Sequence, residues 1–333
     1  MTTITRWMTG AWLLRALLAA LLMLSSEALL WAAPDSRPGF EWALLLAAYL
    51  ALASLLLDLA ARWRLRDLFG LMALAGVYGL LNAALLNPQT AFADFPRTLF
   101  TRAMGGHTLM GLLALAWWLR LTDARASGGA ASRVLIGVIA CLIGVIGGYW
   151  GHYSPPVFVS GGETTLLTIG IAYGALAAIA VGVMLLARRG GAAAFDADSL
   201  RLRRGGWALV VIALVPIGAA QVASGRSDGV ALTTVALFAA FCAGVVWFQK
   251  RARGASLLDG RSLAIDPRRL VIPLVGGAIG VVIGYALPRL IGATDMLALI
   301  AALLTAYGLV WLPLVAFVLG AREFSRQSRA MRL

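Results

Sequence analysis

Four polar side chains lie inside long apolar runs of this sequence, where such groups are rare: Glu27, Asn82, Arg102 and His107. An ionisable residue within a membrane-spanning segment is costly to bury, so it marks a candidate functional site. A carboxylate or an imidazole can serve as a general base, and a guanidinium matches the oxygens of a phosphate. These residues therefore predict binding of a polar group, or acid–base chemistry, at membrane depth.

The candidate residues have similar depths although they come from different segments. At a rise of about 1.5 Å per residue, Glu27 lies roughly 9 Å and His107 roughly 12 Å below the outer end of its segment. A shared polar pocket that opens on the outer side is therefore expected. Its predicted substrate-binding residues are Glu27, Asn82, Asp94, Arg97, Arg102 and His107. We also hypothesise that Glu27 and Arg102 are near neighbours, because opposite charges lower each other's cost of burial.

Metal and cofactor chemistry has little support in the residue pattern. The sequence contains no CxxC, HExxH or P-loop motif, and both Cys141 and Cys242 lie in apolar runs. We therefore predict no metal and no cofactor. The alternative is a b-type haem ligated by the only two histidines, His107 and His152, both of which are predicted near the outer face.

The elements that must position these residues are membrane-spanning helices. Of 333 residues, 61% are hydrophobic and 13% charged, whereas a soluble domain has about a quarter of its residues charged. Stretches of roughly 20 apolar residues, the length needed to cross a bilayer, occur ten times. We predict an all-α, polytopic integral membrane protein with about ten transmembrane helices, and a single membrane domain over 1–333. The stretches are 12–33, 42–60, 67–86, 99–121, 134–150, 165–187, 207–224, 230–249, 270–291 and 295–319.

Orientation follows from the basic residues, because cytoplasmic loops retain an excess of Lys and Arg. Alternate connections hold 23 of the 28 basic residues, which places both termini in the cytoplasm. The net charge of +13 then indicates orientation and contact with anionic lipids at the cytoplasmic face, and we expect no nucleic-acid partner. Lys250 is the only lysine, a bias typical of GC-rich genes, so we expect a bacterial plasma membrane. Asp58 and Arg62, four residues apart, are expected to form a surface ion pair.

Ten spans divide into two halves of five, 1–164 and 165–333. The first half carries the polar outer-face residues and the second is mainly apolar. An odd number of spans per half is compatible with an inverted repeat, as in many transporters. Glycine and alanine recur four apart in the fifth, sixth and ninth stretches, which predicts close packing within the chain. A homodimer or a larger membrane complex formed through these faces is the alternative.

Several function classes are compatible with this layout. A transporter, permease or lipid-translocating protein requires the least specialised chemistry and is the leading prediction. The alternatives are a membrane-embedded enzyme acting on a lipid-linked or phosphate-bearing substrate, and a structural or haem-binding subunit of a larger complex. Whether the protein is an enzyme is left open by the sequence, because no catalytic motif is present.

Overall fold

Helices form nearly all of the described part of the chain, which we examined in a computed structural model. The structure describes residues 3–28, 39–88, 92, 94–123, 129–152, 166–189, 194–225, 229–249, 255–263, 265, 268–291 and 293–330.

The described residues contain ten long helices, and each overlaps one predicted apolar stretch. Three of them contain a π-helical segment, in which each backbone amide bonds five residues back. The helices are α1 (Thr3–Met23, extended by π1, Leu24–Ala28), α2 (Gly39–Arg62), α3 (Leu68–Leu81, extended by π2, Asn82–Leu86), α4 (Thr108–Thr122, preceded by π3, Leu99–His107), α5 (Ala130–His152), α6 (Leu166–Arg189), α7 (Arg204–Ala223), α8 (Gly229–Phe248), α9 (Arg268–Ile291) and α10 (Ala293–Ala330).

The all-α prediction is confirmed. Seven of the described helical segments are long and apolar enough to cross a membrane. They belong to α1, α2, α3, α7, α8, α9 and α10, while α5 and α6 contain shorter apolar stretches. Pro216 and Pro313 lie inside helices α7 and α10, which continue past them. The described residues also include a pair of two-residue strands, β1 (Ala194–Phe195) and β2 (Arg261–Ser262), which run antiparallel.

The two halves of the chain occupy different positions in the bundle. The buried share of the apolar stretch is 83% in α1 and 72% in α3, whereas it is only 11% in α7 and 22% in α8. The outer helices expose large apolar side chains such as Ile212, Leu237 and Phe317. The second half is therefore mainly apolar because its helices lie at the periphery of the bundle. A helix whose surface faces lipid needs no polar groups.

Helices of the two halves contact each other throughout. Helix α1 contacts α6, α2 contacts α7, and α3 contacts α8, so each of these partners lies five helices further along the chain. Helix α5 packs on α9, and π3 packs on α10. An inverted repeat of five helices stays a prediction, since the contacts α1–α2 and α3–α4 have no equally extensive counterparts in the second half.

The glycine-rich faces of α5 and α9 form the most extensive helix pair in the described structure. An added Cβ at Gly280 would collide with the Cys141 carbonyl oxygen, and one at Gly284 with the Val145 carbonyl oxygen. On α5, Gly144 is equally close to the Gly277 carbonyl oxygen. Close packing within the chain is therefore confirmed for these two helices. The contacts advance together along both helices, so α5 and α9 are parallel.

The small-residue face of α6 does not pack in this way. A Cβ added at Gly170, Gly174 or Gly182 would meet no atom within 4 Å among the described residues. The prediction of close intrachain packing is thus wrong for this face among the described residues, although α6 packs on α1 through other residues, since periodic small residues permit close approach without requiring a partner.

The described parts of the basic connections meet at one end of the bundle, which we call the arginine-rich end (58–67, 120–123, 129–133, 188–189, 194–204, 255–263, 265, 268–269 and 322–330). Strands β1 and β2 join two of these connections, and the Leu257 amide donates to the Leu65 carbonyl at 2.7 Å. Arg322 and Asp67 form an ion pair of 2.7 Å across the same end. The alternation of connections between two ends of the bundle, deduced from charge alone, agrees with these contacts.

Asp58 is a structural residue of this end, and the prediction of a surface ion pair is wrong. Its side chain is fully buried, accepts a 2.6 Å bond from Arg62 Nε and accepts a second, also 2.6 Å, from the Leu202 amide. Arg62 and Arg15 donate to the Leu202 and Leu200 carbonyls in return. The i,i+4 spacing correctly paired the two charges but could not show that a distant connection folds over them.

Candidate functional site

Each of the three π-helical segments carries at least one polar residue that is buried inside the bundle. Segment π1 contains Ser26 and Glu27, π2 begins with Asn82, and π3 ends with His107. A π-helical turn inserts one residue into a helix, costs hydrogen-bond quality and occurs frequently at functional sites. All three segments lie at the end of their helices that is opposite the arginine-rich end, so they meet at one level of the bundle.

Glu27 is the acceptor at the centre of this group. Its carboxylate Oε1 accepts a 2.6 Å hydrogen bond from the Tyr49 hydroxyl and a 2.9 Å bond from Asn87 Nδ2. The side chain is fully buried, as are those of Tyr49 and Asn82. A carboxylate withdrawn from water requires such donors, because burying an unpaired charge is very costly.

A second set of bonds joins the other members. Asn82 Nδ2 donates to the Tyr49 hydroxyl at 2.7 Å and to the Tyr78 hydroxyl at 3.3 Å. The other amide hydrogen of Asn87 reaches Asn82 Oδ1 at 2.9 Å. Both amide groups therefore use both of their hydrogens inside the cluster, which locks their orientation.

His107 joins through Ser26. The Ser26 and Tyr78 hydroxyls are 2.5 Å apart, and Tyr78 also donates to the Leu22 carbonyl at 3.3 Å. His107 Nδ1 lies 3.4 Å from Ser26 Oγ, a long contact that a small movement would strengthen. We refer to Ser26, Glu27, Tyr49, Tyr78, Asn82, Asn87 and His107 as the Glu27 cluster.

The direction of the bonds gives the cluster a consistent polarity. The Tyr78 oxygen accepts from Asn82, and either hydroxyl of the Ser26–Tyr78 pair can be the donor of the bond between them. Tyr49 likewise accepts from Asn82 and donates to Glu27. The carboxylate of Glu27 is thus the side-chain acceptor at which the donors converge. This arrangement is suited to the negative charge of an ionised carboxylate, or to a carboxyl group that holds a proton. Connected buried networks of this kind hold one geometry when every member is satisfied.

The predicted site residues divide into two groups in the structure. Glu27, Asn82 and His107 belong to the Glu27 cluster and are buried, and a pocket that opens from them on the outer side stays a prediction. Asp94 and Arg97 instead form an exposed ion pair of 3.4 Å, with side chains 61% and 75% exposed.

Arg102 lies on π3, five residues before His107, and its side chain is partly buried. The described hydrogen bonds of Glu27 to side chains go to Tyr49 and Asn87, and the proximity of Glu27 to Arg102 stays a prediction. Similar depths on two helices leave this distance open, because depth alone does not determine which faces of the two helices meet.

Sequence reasoning missed Ser26, Tyr49, Tyr78 and Asn87 as site residues. Two tyrosines and a serine in apolar helices are common structural residues, and nothing in their spacing distinguishes them. Asn87 did carry a signal, since it follows Asn82 by five residues, the interval of a π turn. The Asn87 amide indeed bonds to the Asn82 carbonyl at 2.9 Å.

No group of three or more His, Cys, Asp or Glu side chains arranged to hold a metal occurs among the residues that the structure describes. The haem hypothesis requires His152, whose side chain lies outside the described residues. His107 has a described neighbour in Ser26.

Comparison with known proteins identifies no relative. No protein-family model, no curated protein and no solved structure matches this chain. The function of the chain is therefore inferred from the geometry of the Glu27 cluster and from its position in the bundle.

Proposed function

We propose that the protein is a membrane transporter, permease or lipid-translocating protein, and that the Glu27 cluster binds the polar part of its cargo or a coupled proton. The observation that carries the proposal is a fully buried carboxylate on π1 that accepts hydrogen bonds from Tyr49 on α2 and from Asn87, the residue after π2. Ionisable groups in such positions characteristically line the paths of ions and substrates.

The interrupted helices support the same proposal. Transporters place binding sites where helices depart from regular α geometry, because the freed backbone groups and altered register create room for a ligand. Here the three π-helical segments supply four of the seven cluster residues, Ser26, Glu27, Asn82 and His107, and contact one another or adjacent helices. Relaxing one π turn to α geometry would rotate the residues beyond it, which gives the cluster a physical means of opening.

An enzyme is the second candidate, and the contact between His107 and Ser26 favours it. An imidazole beside a hydroxyl, with a carboxylate on the next residue, contains the groups needed for general-base chemistry on a lipid-linked or phosphate-bearing substrate. Such a site needs access from one side of the membrane, whereas transport needs access from both. Access therefore distinguishes the two functions without knowledge of the cargo.

We further propose ten membrane spans with both termini in the cytoplasm of a bacterium, since the arginine-rich end then satisfies the positive-inside rule. Cysteine introduced at Ser199, at the arginine-rich end, is expected to resist a membrane-impermeant thiol reagent added to intact cells. Cysteine at Ser224, which is exposed at the opposite end of α7, is expected to react. Cys141 and Cys242 are replaced by alanine in both variants. The reverse labelling pattern would invert the orientation.

The proposed transport predicts that the Glu27 cluster is reached by water from each side in turn. In the same cysteine-free background, a Ser26→Cys variant is expected to react with a charged methanethiosulfonate in intact cells and also in inside-out vesicles. Ser54→Cys is the matched control: Ser54 is equally buried in α2, bonds to the Leu50 carbonyl and lies outside the cluster. It is expected to remain unlabelled from either side.

The outcomes separate the candidates. Labelling of Ser26→Cys from one side only would reject transport in favour of a site with one-sided access, as for an enzyme. Labelling from neither side would make the cluster a structural network, as in a subunit of a larger complex. Equal labelling of Ser54→Cys would show general loosening of the bundle and would remove the support for a specific path.

A further inference from the structure

A second site is formed by an apolar cavity between helices, away from the exposed loops. The cavity has a volume of about 210 Å³ and is lined by residues of π1, α4, α5, α6 and α9. Apolar cavities of roughly 150 Å³ already bind a molecule of the size of benzene. This cavity is therefore large enough for part of a hydrocarbon chain.

The cavity runs lengthwise along α4. Its lining extends from Met110 to Arg120, ten residues and therefore about 15 Å along the helix axis. Ser25, which precedes the cluster residue Ser26, lines the part of the cavity nearest the Glu27 cluster. Arg120 lines the opposite part, at the arginine-rich end of the bundle. The long axis is thus parallel to the direction in which lipid chains run in a bilayer.

The cavity also has contact with the outer surface of the bundle. Leu135, on α5, lines it and is itself 57% exposed. In a bilayer this surface faces lipid chains, so a chain can enter sideways without crossing a polar region.

One end of the cavity has the features of a headgroup contact. Arg120 is exposed there, one turn beyond Trp117, whose indole nitrogen donates to the Arg269 carbonyl at 3.3 Å. Tryptophan and arginine are typical of the level at which an apolar helix meets lipid headgroups. A guanidinium at that level attracts an anionic headgroup in preference to a zwitterionic one.

We propose that this cavity is a specific site for an anionic phospholipid of the leaflet at the arginine-rich end. One acyl chain occupies the cavity toward Ser25, and the phosphate and anionic headgroup contact Arg120. Basic loops attract anionic lipids in general, but this position is a defined binding site for one lipid molecule. The site requires that the chain is embedded in a bilayer and does not depend on transport by the Glu27 cluster.

Native mass spectrometry of the delipidated protein tests the site, with dioleoylphosphatidylglycerol and dioleoylphosphatidylcholine as probes. We expect phosphatidylglycerol to be the first bound lipid about five times as often as phosphatidylcholine. This is the preference that one basic residue near the surface supplies. Arg120→Gln is expected to abolish that preference. Arg204→Gln, which removes an exposed charge from the same end outside the cavity, is expected to preserve it. Ala140→Phe, which fills the cavity, is expected to lower retention of both lipids.

Two results would overturn the proposal: a preference for phosphatidylglycerol that persists in Arg120→Gln, or unchanged retention of both lipids in a folded Ala140→Phe variant. Thermal unfolding of each variant establishes that it is folded. If Ala140→Phe proves unstable, Arg120→Gln alone decides the headgroup contact.

Discussion

Replacing Glu27 with leucine is expected to lower the free energy of unfolding by on the order of 3 kcal/mol. The carboxylate accepts the hydroxyl hydrogen of Tyr49 and an amide hydrogen of Asn87, and all three side chains are buried. Each buried donor left without an acceptor costs about 1–3 kcal/mol. Equilibrium unfolding in mixed detergent and dodecyl sulfate micelles measures the loss.

Glu27→Gln is the matched control, because its amide oxygen can accept the same two bonds at the same position. We expect it to remain within about 1 kcal/mol of the parent protein. The proposed transport adds a functional expectation for this variant: a folded protein that no longer carries cargo, since the negative charge or the transferable proton is gone.

A double variant tests whether the stability effect is specific to the Tyr49–Glu27 bond. Combining Glu27→Leu with Tyr49→Phe removes donor and acceptor together. The double variant is therefore expected to lose about 0.5–3 kcal/mol less stability than the sum of the losses in the two single variants. Full additivity, or a Glu27→Leu variant as stable as the parent, would contradict the hydrogen-bonded cluster.

Gly280→Val is expected to cost about 3 kcal/mol or more and to reduce the yield of folded protein. The added side chain would meet the Cys141 carbonyl and the Val145 amide on α5, which are backbone atoms and cannot rotate away. The two helices would have to separate along their whole seam, since Gly284 makes the same approach one turn later. Overpacking at such positions reaches the upper end of the usual range.

Gly174→Val provides the comparison, because this glycine has the same helical environment but no atom within 4 Å of an added Cβ. It is expected to leave the melting temperature nearly unchanged. Similar losses in both variants would show that the effect comes from glycine in a helix rather than from the α5–α9 seam. A melting temperature lowered only in Gly174→Val would instead indicate a partner that covers α6.

The composition and the charge distribution were sufficient for much of the architecture. Each of the ten predicted stretches corresponds to a helix, because crossing an apolar layer imposes both a length and an apolar composition that are visible locally. The basic connections meet at one end of the bundle for the same reason, since charge alternates with the direction of the chain. The close approach of α5 and α9 was also local information, carried by glycines four residues apart.

What sequence reasoning could not provide is which helix faces meet. Glu27, Asn82 and His107 were recognisable as costly residues, but their partners Tyr49, Tyr78 and Asn87 come from other helices or from the far side of a π turn. Asp58 likewise looked like a surface residue until a connection more than 140 positions away folded over it. The periodicity of a sequence indicates only on which face of its own helix a residue lies. The rotation of each helix about its axis, and the extra residue that each π segment inserts, arise from packing among all ten helices, so tertiary structure alone decided them.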